Sequence, residues 1–275
     1  GTAATGGGTN QCADVNAALG SELLIDDLED GDNAIPELDG RLGHWYTFND
    51  GTPGAEQTPT GNFEPTAGGA NGSAYAAVTS GHGFADWGAG LGVNLLTVGA
   101  TGCPYDASAA DGLSLCVKGS GSASLILSTA DTVPVDQGGN GSCDPNCYDS
   151  HQMPLTLTSD WVCQDIAWGD LSQQGWGTAV AFDPGAIIAI QIQAAPNADF
   201  EIGVDDLAFI GGTGGTGGAA GAAGTGGQAG SAGSAGSAGS AGSAGSAGAA
   251  AGAGGAAAGA GGAPAGAGGA AGGSP

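Results

Sequence analysis

Asp27 and Glu29 stand two apart in the run LLIDDLED, and acids at that spacing on a strand project to the same side. Two carboxyls flanking a sugar are what a glycosidase needs, about 5–5.5 Å apart in a retaining enzyme, with one kept protonated by its surroundings. The three-acid alternation usual in jelly-roll glycanases would need a further acid at position 25, where this chain has Ile25. Catalysis is therefore not expected, and no residue is given a catalytic role. A second constellation, Cys143-x3-Cys147-x3-His151, has a spacing that suits zinc, with no fourth ligand apparent. In an oxidising compartment the same two cysteines close a small loop around Asp144-Pro145-Asn146, and a disulfide there is the expected state. The third resource is aromatic. Trp45, Tyr46, Trp87, Tyr105, Trp161, Trp168 and Trp176 offer flat faces on which sugar rings stack.

These residues need a scaffold, and the hydrophobic pattern supplies one. Short β-type runs recur from Leu23 onward, separated by glycine-rich or Asp/Asn turns: HWYTFND, SAYAAVTS, LGVNLLTV, GLSLCVKG, ASLILSTA, MPLTLTSDWVCQDIAW, AIIAIQIQA and DFEIGVDDLAFI among them. Leu113, Leu115 and Val117 alternate with polar neighbours, as do Ile188, Ile190 and Ile192, and Phe200, Ile202 and Val204. No segment keeps a 3.6-residue stripe. Roughly nine strands without helices between them predict an all-β antiparallel sandwich over residues 10–210. Within it Trp45 and Tyr46 are adjacent, so one faces in and the other out. Trp161 lies opposite Ile166 in phase, which marks Tyr46 and Trp161 as the candidate ligand-binding aromatics. Trp87 (DWGAG) and Trp176 (QQGWG) sit in glycine turns and are expected to plug the ends of the sandwich.

Composition narrows the setting. The formal charge is −25, with 27 acids against two cations, Arg41 and Lys118. Such a surface repels phosphate backbones, so nucleic acid is not an expected partner. No apolar run approaches ~20 residues, so no membrane span is expected. Six cysteines, three histidines and a start at Gly1 point to a processed, secreted protein, extracellular or at the cell surface, with three disulfides. Fifteen pairings are possible. Besides Cys143 with Cys147, a cross-strand bridge between Cys116 and Cys163 is plausible, and Cys12 with Cys103 would then tie down the N-terminal segment.

Taken in order, LIDDLEDGDN, GHWYTFNDGT, YDASAADGLSLCVKG, LTLTSDW, LSQQGWG, FDPGAIIAIQIQ and FEIGVDDLAFI resemble the galactose-binding-like jelly rolls of bacterial carbohydrate-binding modules. The likeness covers about Leu23–Ile210. It implies first and last strands lying side by side and sharing a structural calcium, for which Asp27, Glu29 and Asp206 are the candidate ligands; calcium takes six to eight hard oxygens. It also implies polysaccharide as a possible partner.

The rest of the chain is a different material. After a short linker at 1–9 and the sandwich comes a Gly/Ala/Ser-rich tail, 211–275. In it Gly212, Gly215, Gly218, Gly221, Gly224, Gly227, Gly230, Gly233, Gly236, Gly239, Gly242, Gly245 and Gly248 fall at every third position. That register suits an extended three-fold helix rising ~3.1 Å per residue, about 115 Å in all, with glycines along one edge where another chain can approach. The sequence is accordingly read as a non-catalytic structural subunit of an extracellular fibre or surface assembly, self-associating through the tail as a homo-oligomer or filament. The alternative reading is a carbohydrate-binding module tethered by a flexible Gly/Ser linker to an enzyme or the cell surface.

Overall fold

The structure is a computed structural model that describes residues 11–134 and 141–211. The linker at 1–9 and the glycine register from Gly212 to Gly248, with the assembly role read from it, lie outside the described residues. The described chain forms two antiparallel sheets and a small hairpin. The first sheet runs β12 (Val162–Ala167), β9 (Gly112–Ser120), β14 (Phe200–Ile210), β5 (Tyr75–His82), β3 (Glu56–Thr58), with β1 (Leu24–Asp26) added to β14 and β4 (Thr66–Ala67) to β5. The second runs β11 (His151–Leu155), β10 (Ala123–Thr129), β13 (Ile187–Ala194), β6 (Ala89–Asn94), β2 (Trp45–Asn49), while β7 (Thr97–Val98) and β8 (Thr101–Gly102) form the hairpin. Among the described residues no helix is long and apolar enough to cross a membrane.

The alternation read from sequence is what closes the sandwich. Leu113, Leu115 and Val117 of β9 and Ile202 and Val204 of β14 are fully buried, and they meet Leu91, Val93, Leu125, Leu127, Ile190 and Ile192 from the other sheet in one core. The long MPLTLTSDWVCQDIAW run becomes two strands, β11 and β12, placed in different sheets. All three disulfides pair as expected. Cys116 and Cys163 are direct neighbours across β9 and β12, Cys12 joins Cys103, and Cys143 joins Cys147.

β1 and β14 do lie side by side, Leu24 opposite Ala208 and Asp26 opposite Leu207. The acids of LLIDDLED are not arranged as expected, however. Asp26 Oδ1 accepts the Leu28 amide at 2.9 Å, Leu28 turns left-handed (φ 60°), and the strand stops at Asp26. Asp27 and Glu29 thus sit past the strand end, not two apart on one strand face.

Asp26 itself is buried beneath Trp45, whose indole N–H donates to Oδ2 at 2.7 Å. Burial pushes its carboxyl from 3.8 up to about 6, against the lowering pull of the Leu28 and Trp45 hydrogen bonds. The fold therefore favours the neutral acid. The stability this contributes is complete below the unfolded pKa of 3.8 and is lost as the pH rises through 6. The amount is about 3 kcal/mol at most, at 1.36 kcal/mol per unit. Urea titrations are expected to show the Asp26 contribution to stability falling between pH 4 and pH 7 in the wild type, and the fall to be less steep in Asp26→Asn. Parallel slopes would show that Asp26 does not carry the effect.

Candidate functional site

Packing one face of the second sheet into the core sends the alternate residues to its outer face. Strand register lines them up in rows. Gln152, Ile126, Gln191, Gly92 and Tyr46 cross the five strands in one row, and Pro154, Ser124, Gln193, Gly90 and Phe48 in the next. The glycines of β6 are needed here. A Cβ at Gly92 would lie 3.0 Å from Tyr46 Cζ, and one at Gly90 would lie 2.9 Å from Phe48 Cζ. Without those atoms both rings lie down against the sheet. Gln191 Nε2 donates to the Tyr46 hydroxyl at 3.2 Å, and burial pushes that phenol up to about 12, only partly offset by the Gln191 bond.

Above this floor opens a groove of about 720 Å³. Its walls are aromatic: Trp87 is 43 % exposed, Tyr148 56 % and Trp176 58 %. Trp87 stacks on Phe48 with ring centroids 6.0 Å apart and planes within 25°. Between the walls lie neutral polar groups. Gln174 Nε2 donates to Gln152 Oε1 at 3.2 Å, the Ser128 and Ser150 hydroxyls are 3.3 Å apart, and Gln191 and Gln193 face the same space. Flat exposed rings flanking amides and hydroxyls are suited to stacking on sugar faces and bonding their hydroxyls. A contiguous depression continues from Trp87 toward Ser124 and Pro196, with Asp86 at its edge.

Each tryptophan is carried on a turn wound about a carboxylate. Asp50, just beyond β2, accepts through Oδ2 the amides of Asp86 (3.0 Å), Trp87 (3.2 Å) and Gly88 (3.0 Å), and through Oδ1 the amide and hydroxyl of Thr52. Asp149, just before β11, accepts the amides of Gln174 (2.9 Å), Gly175 (2.8 Å) and Gly177 (2.9 Å). Burial tends to raise both acids. It is outweighed at Asp50 by the Thr52 hydroxyl and the amides of Gly88, Thr52 and Asp86, and at Asp149 by the amides of Gly177, Gln174 and Gly175, so both stay well below the usual carboxylate range. The Cys143–Cys147 loop braces the second turn, its Pro145 and Asn146 carbonyls accepting the Thr178 hydroxyl and amide at 2.6 and 3.0 Å.

Of the two aromatics expected to bind ligand, Tyr46 is on this face, bonded to Gln191, but does not line the groove. Trp161 is on the other sheet, with the Lys118 ammonium 4.8 Å from its ring centroid, and over Gly203. Trp87 and Trp176, expected as end plugs, are the walls instead. Glycine-flanked tryptophans in turns beside strand ends were the available signal, and Tyr148 carried none. The disulfide Cys143–Cys147 commits both sulfurs that a zinc site would need, and the His151 ring packs edge-on against Phe182.

At the β1–β14 seam, Glu29 Oε1 accepts from the Ser73 hydroxyl and the Ala74 and Tyr75 backbone amides at 2.7, 2.7 and 3.1 Å, while Asp206 Oδ2 accepts from the Asn71 side-chain Nδ2 at 3.2 Å. Asp27 accepts the Glu29 amide. Among the described residues no three His, Cys, Asp or Glu side chains gather into a metal-holding group. Nothing below is routed through calcium.

No protein-family profile matches the chain. It is 30 % identical over 189 residues to Endoglucanase 3 of Fibrobacter succinogenes (strain ATCC 19169 / S85), a match covering 65 % of this chain and 25 % of that enzyme. The chain thus spans about a quarter of the length of the curated relative it matches. Similar solved structures include carbohydrate-binding modules. The family 11 module of the cellulosomal cellulase Lic26A-Cel5E of Clostridium thermocellum has TM-score 0.46 at 18 % identity, covering 70 % of this chain and 96 % of that one. The family 30 module of Cel9D-Cel44B, also of Clostridium thermocellum, has TM-score 0.42 at 14 % identity, covering 69 % and 97 %.

Limiting N-bromosuccinimide is expected to oxidise Trp87 and Trp176 before Trp45, which is 1 % exposed. Peptide mass mapping reads the order, and early modification of Trp45 would contradict the groove's geometry.

Proposed function

We propose that the described domain is a non-catalytic carbohydrate-binding module that holds an uncharged polysaccharide chain in the groove on its five-stranded sheet. The carrying observation is the set of exposed rings, Trp87, Tyr148 and Trp176, that line one groove together with neutral amide and hydroxyl groups. Such rings normally cost free energy when left in water, and together they form the kind of apolar patch that marks a binding surface. The likeness to a stretch of an endoglucanase supports a polysaccharide of the glucan type and a place for this domain within, or tethered to, a secreted glycan-degrading protein. Three disulfides suit the oxidising exterior. The fibre-subunit reading rests on residues outside the described ones and is not carried forward.

Charge selects among glycans. Arg41 is wholly buried, its guanidinium donating to the Glu22 and Leu24 carbonyls at 3.0 and 2.8 Å, and Lys118 lies on the other sheet over Trp161. Neither cation lines the groove, and the chain carries a net −25. Uronic-acid polymers would meet repulsion with nothing to offset it. The acids behind the walls, Asp50 and Asp149, have their oxygens occupied by backbone amides, which argues for holding sugar over cleaving it.

In affinity gels, the wild type is expected to be retarded by at least one of mixed-linkage β-glucan, hydroxyethylcellulose, xylan and glucomannan, and not by polygalacturonate. Trp87→Ala and Trp176→Ala should each weaken retention about tenfold, the scale of losing one well-stacked ring, while Trp161→Ala leaves it unchanged. Retention by none of the neutral polymers, or equal retention of the Trp176→Ala protein, would refute the reading.

A further inference from the structure

The two walls of the groove are unrelated in sequence, yet they are built alike. The second sheet has two edge strands, β2 and β11, and each has an aspartate just outside its end, Asp50 and Asp149. Register puts these at diagonally opposite corners. Asn49, next to Asp50, lies in the row that ends at Leu155, whereas His151, next but one to Asp149, lies in the row that ends at Trp45. The corners are about 13 Å apart along the strands and about 19 Å across them, taking ~3.3 Å per residue and ~4.8 Å per strand. Neither aspartate lines the groove, and each collects three amides of the turn that carries a tryptophan of its wall.

We propose that Asp50 and Asp149 are positioning residues for carbohydrate, each acting only through the tryptophan on the turn it gathers, Trp87 and Trp176 respectively. The proposal rests on the sugar-binding reading above. Both oxygens of Asp149 accept amides of its turn, so the near-isosteric asparagine fails there in either orientation, because its NH₂ must point at a turn N–H. An amide left facing a donor opens the turn. At Asp50 one oxygen takes all three turn amides and the other faces Thr52, so alanine is the substitution that releases that turn. The turns have little freedom to find another closed form. Gly88 (φ 102°) and Gly175 (φ 90°) hold conformations that other residues rarely adopt, and a Cβ at Gly177 would land on the Asp149 Cβ. The other ties on each turn, among them the Asp50 amide to the Gly88 carbonyl at 2.9 Å, join uncharged groups and are weaker. Gln193 Nε2 donates to the Trp87 carbonyl, and Gln173 Nε2 donates to the Asp149 and Thr178 carbonyls. With the carboxylate intact, the tryptophan face is set before ligand arrives, and binding does not bear the cost of ordering it.

The test is a double-mutant cycle read by isothermal titration on the full chain with mixed-linkage β-glucan, folding being checked by thermal melting. Asp149→Asn is expected to weaken binding about fivefold or more in the wild type, and to weaken it no further in Trp176→Ala. Asp50→Ala with Trp87→Ala should behave the same way. A general loss of stability would reduce affinity in both backgrounds, and additive losses therefore overturn the proposal, as does full affinity in a folded Asp149→Asn. Amide exchange on the unliganded wild type needs no variant. The amides of residues 86–88 and of 174, 175 and 177 are expected to be protected although they lie in surface turns, and free exchange there overturns the proposal even if the variants do not fold. Failure of the wild type to bind any neutral polysaccharide removes the sugar-binding reading and this proposal with it; a wild type that binds while the cycles are additive removes this proposal alone.

Discussion

The hydrogen bond from backbone amide to carboxylate organises this domain. With 27 acids and two cations, salt bridges cannot be the general means of settling its negative charge, and one of the two cations, Arg41, is spent on carbonyls inside the core. The main chain supplies the donors in their place. Asp26 takes the Leu28 amide, Asp39 takes Gly20 and Glu22, Glu29 takes Ala74 and Tyr75, and Asp205 takes Ala70 and Asp206. Each such bond turns a charge that would otherwise only repel into a clamp on a loop. Bonds to a charged group are also among the stronger ones a protein makes.

The same device gives the groove its shape. A sheet face is flat, and a flat face binds a flexible chain poorly. Depth comes from turns that stand above its corners, and turns without buried side chains need another source of rigidity. Asp50 and Asp149 provide it from behind, and the Cys143–Cys147 loop backs one of them. On the floor the logic is reversed. Gly90 and Gly92 remove side chains so that Tyr46 and Phe48 can lie down, which leaves the groove open between its walls.

The buried pair of acids near the seam shows how much the local setting decides. Asp26 and Asp205 are both in the interior, each with at most a few donors, and burial raises both. Asp50 and Asp149, ringed by more donors, move the opposite way. Four aspartates of identical chemistry are separated by how strongly burial desolvates each and by the number of N–H groups within reach.

The β-sandwich was legible because alternation is a local property. Leu113, Leu115 and Val117, or Ile190 and Ile192, declare a buried face from a few neighbours alone, and paired cysteines on outward positions of two strands narrow their own partners. The strand order, the row from Gln152 to Tyr46, and the end of β1 at Asp26 depend on partners far away in the chain. So does the groove. Tyr46 and Trp161 look alike as outward aromatics on strands, but only pairing puts one on the sheet that carries the groove and the other against the opposite sheet. Trp87 and Trp176 read as plugs because a tryptophan in a glycine turn gives no sign of which way the turn folds. That direction is set by Asp50 and Asp149, 37 and 27 residues earlier, and a hydrogen bond across such a separation has no periodic trace in sequence. The sequence by itself therefore determined the layers and their cross-links, and the tertiary structure alone decided which aromatic rings were left facing water together, because burial follows local pattern while a binding surface is made by whatever distant segments converge on it.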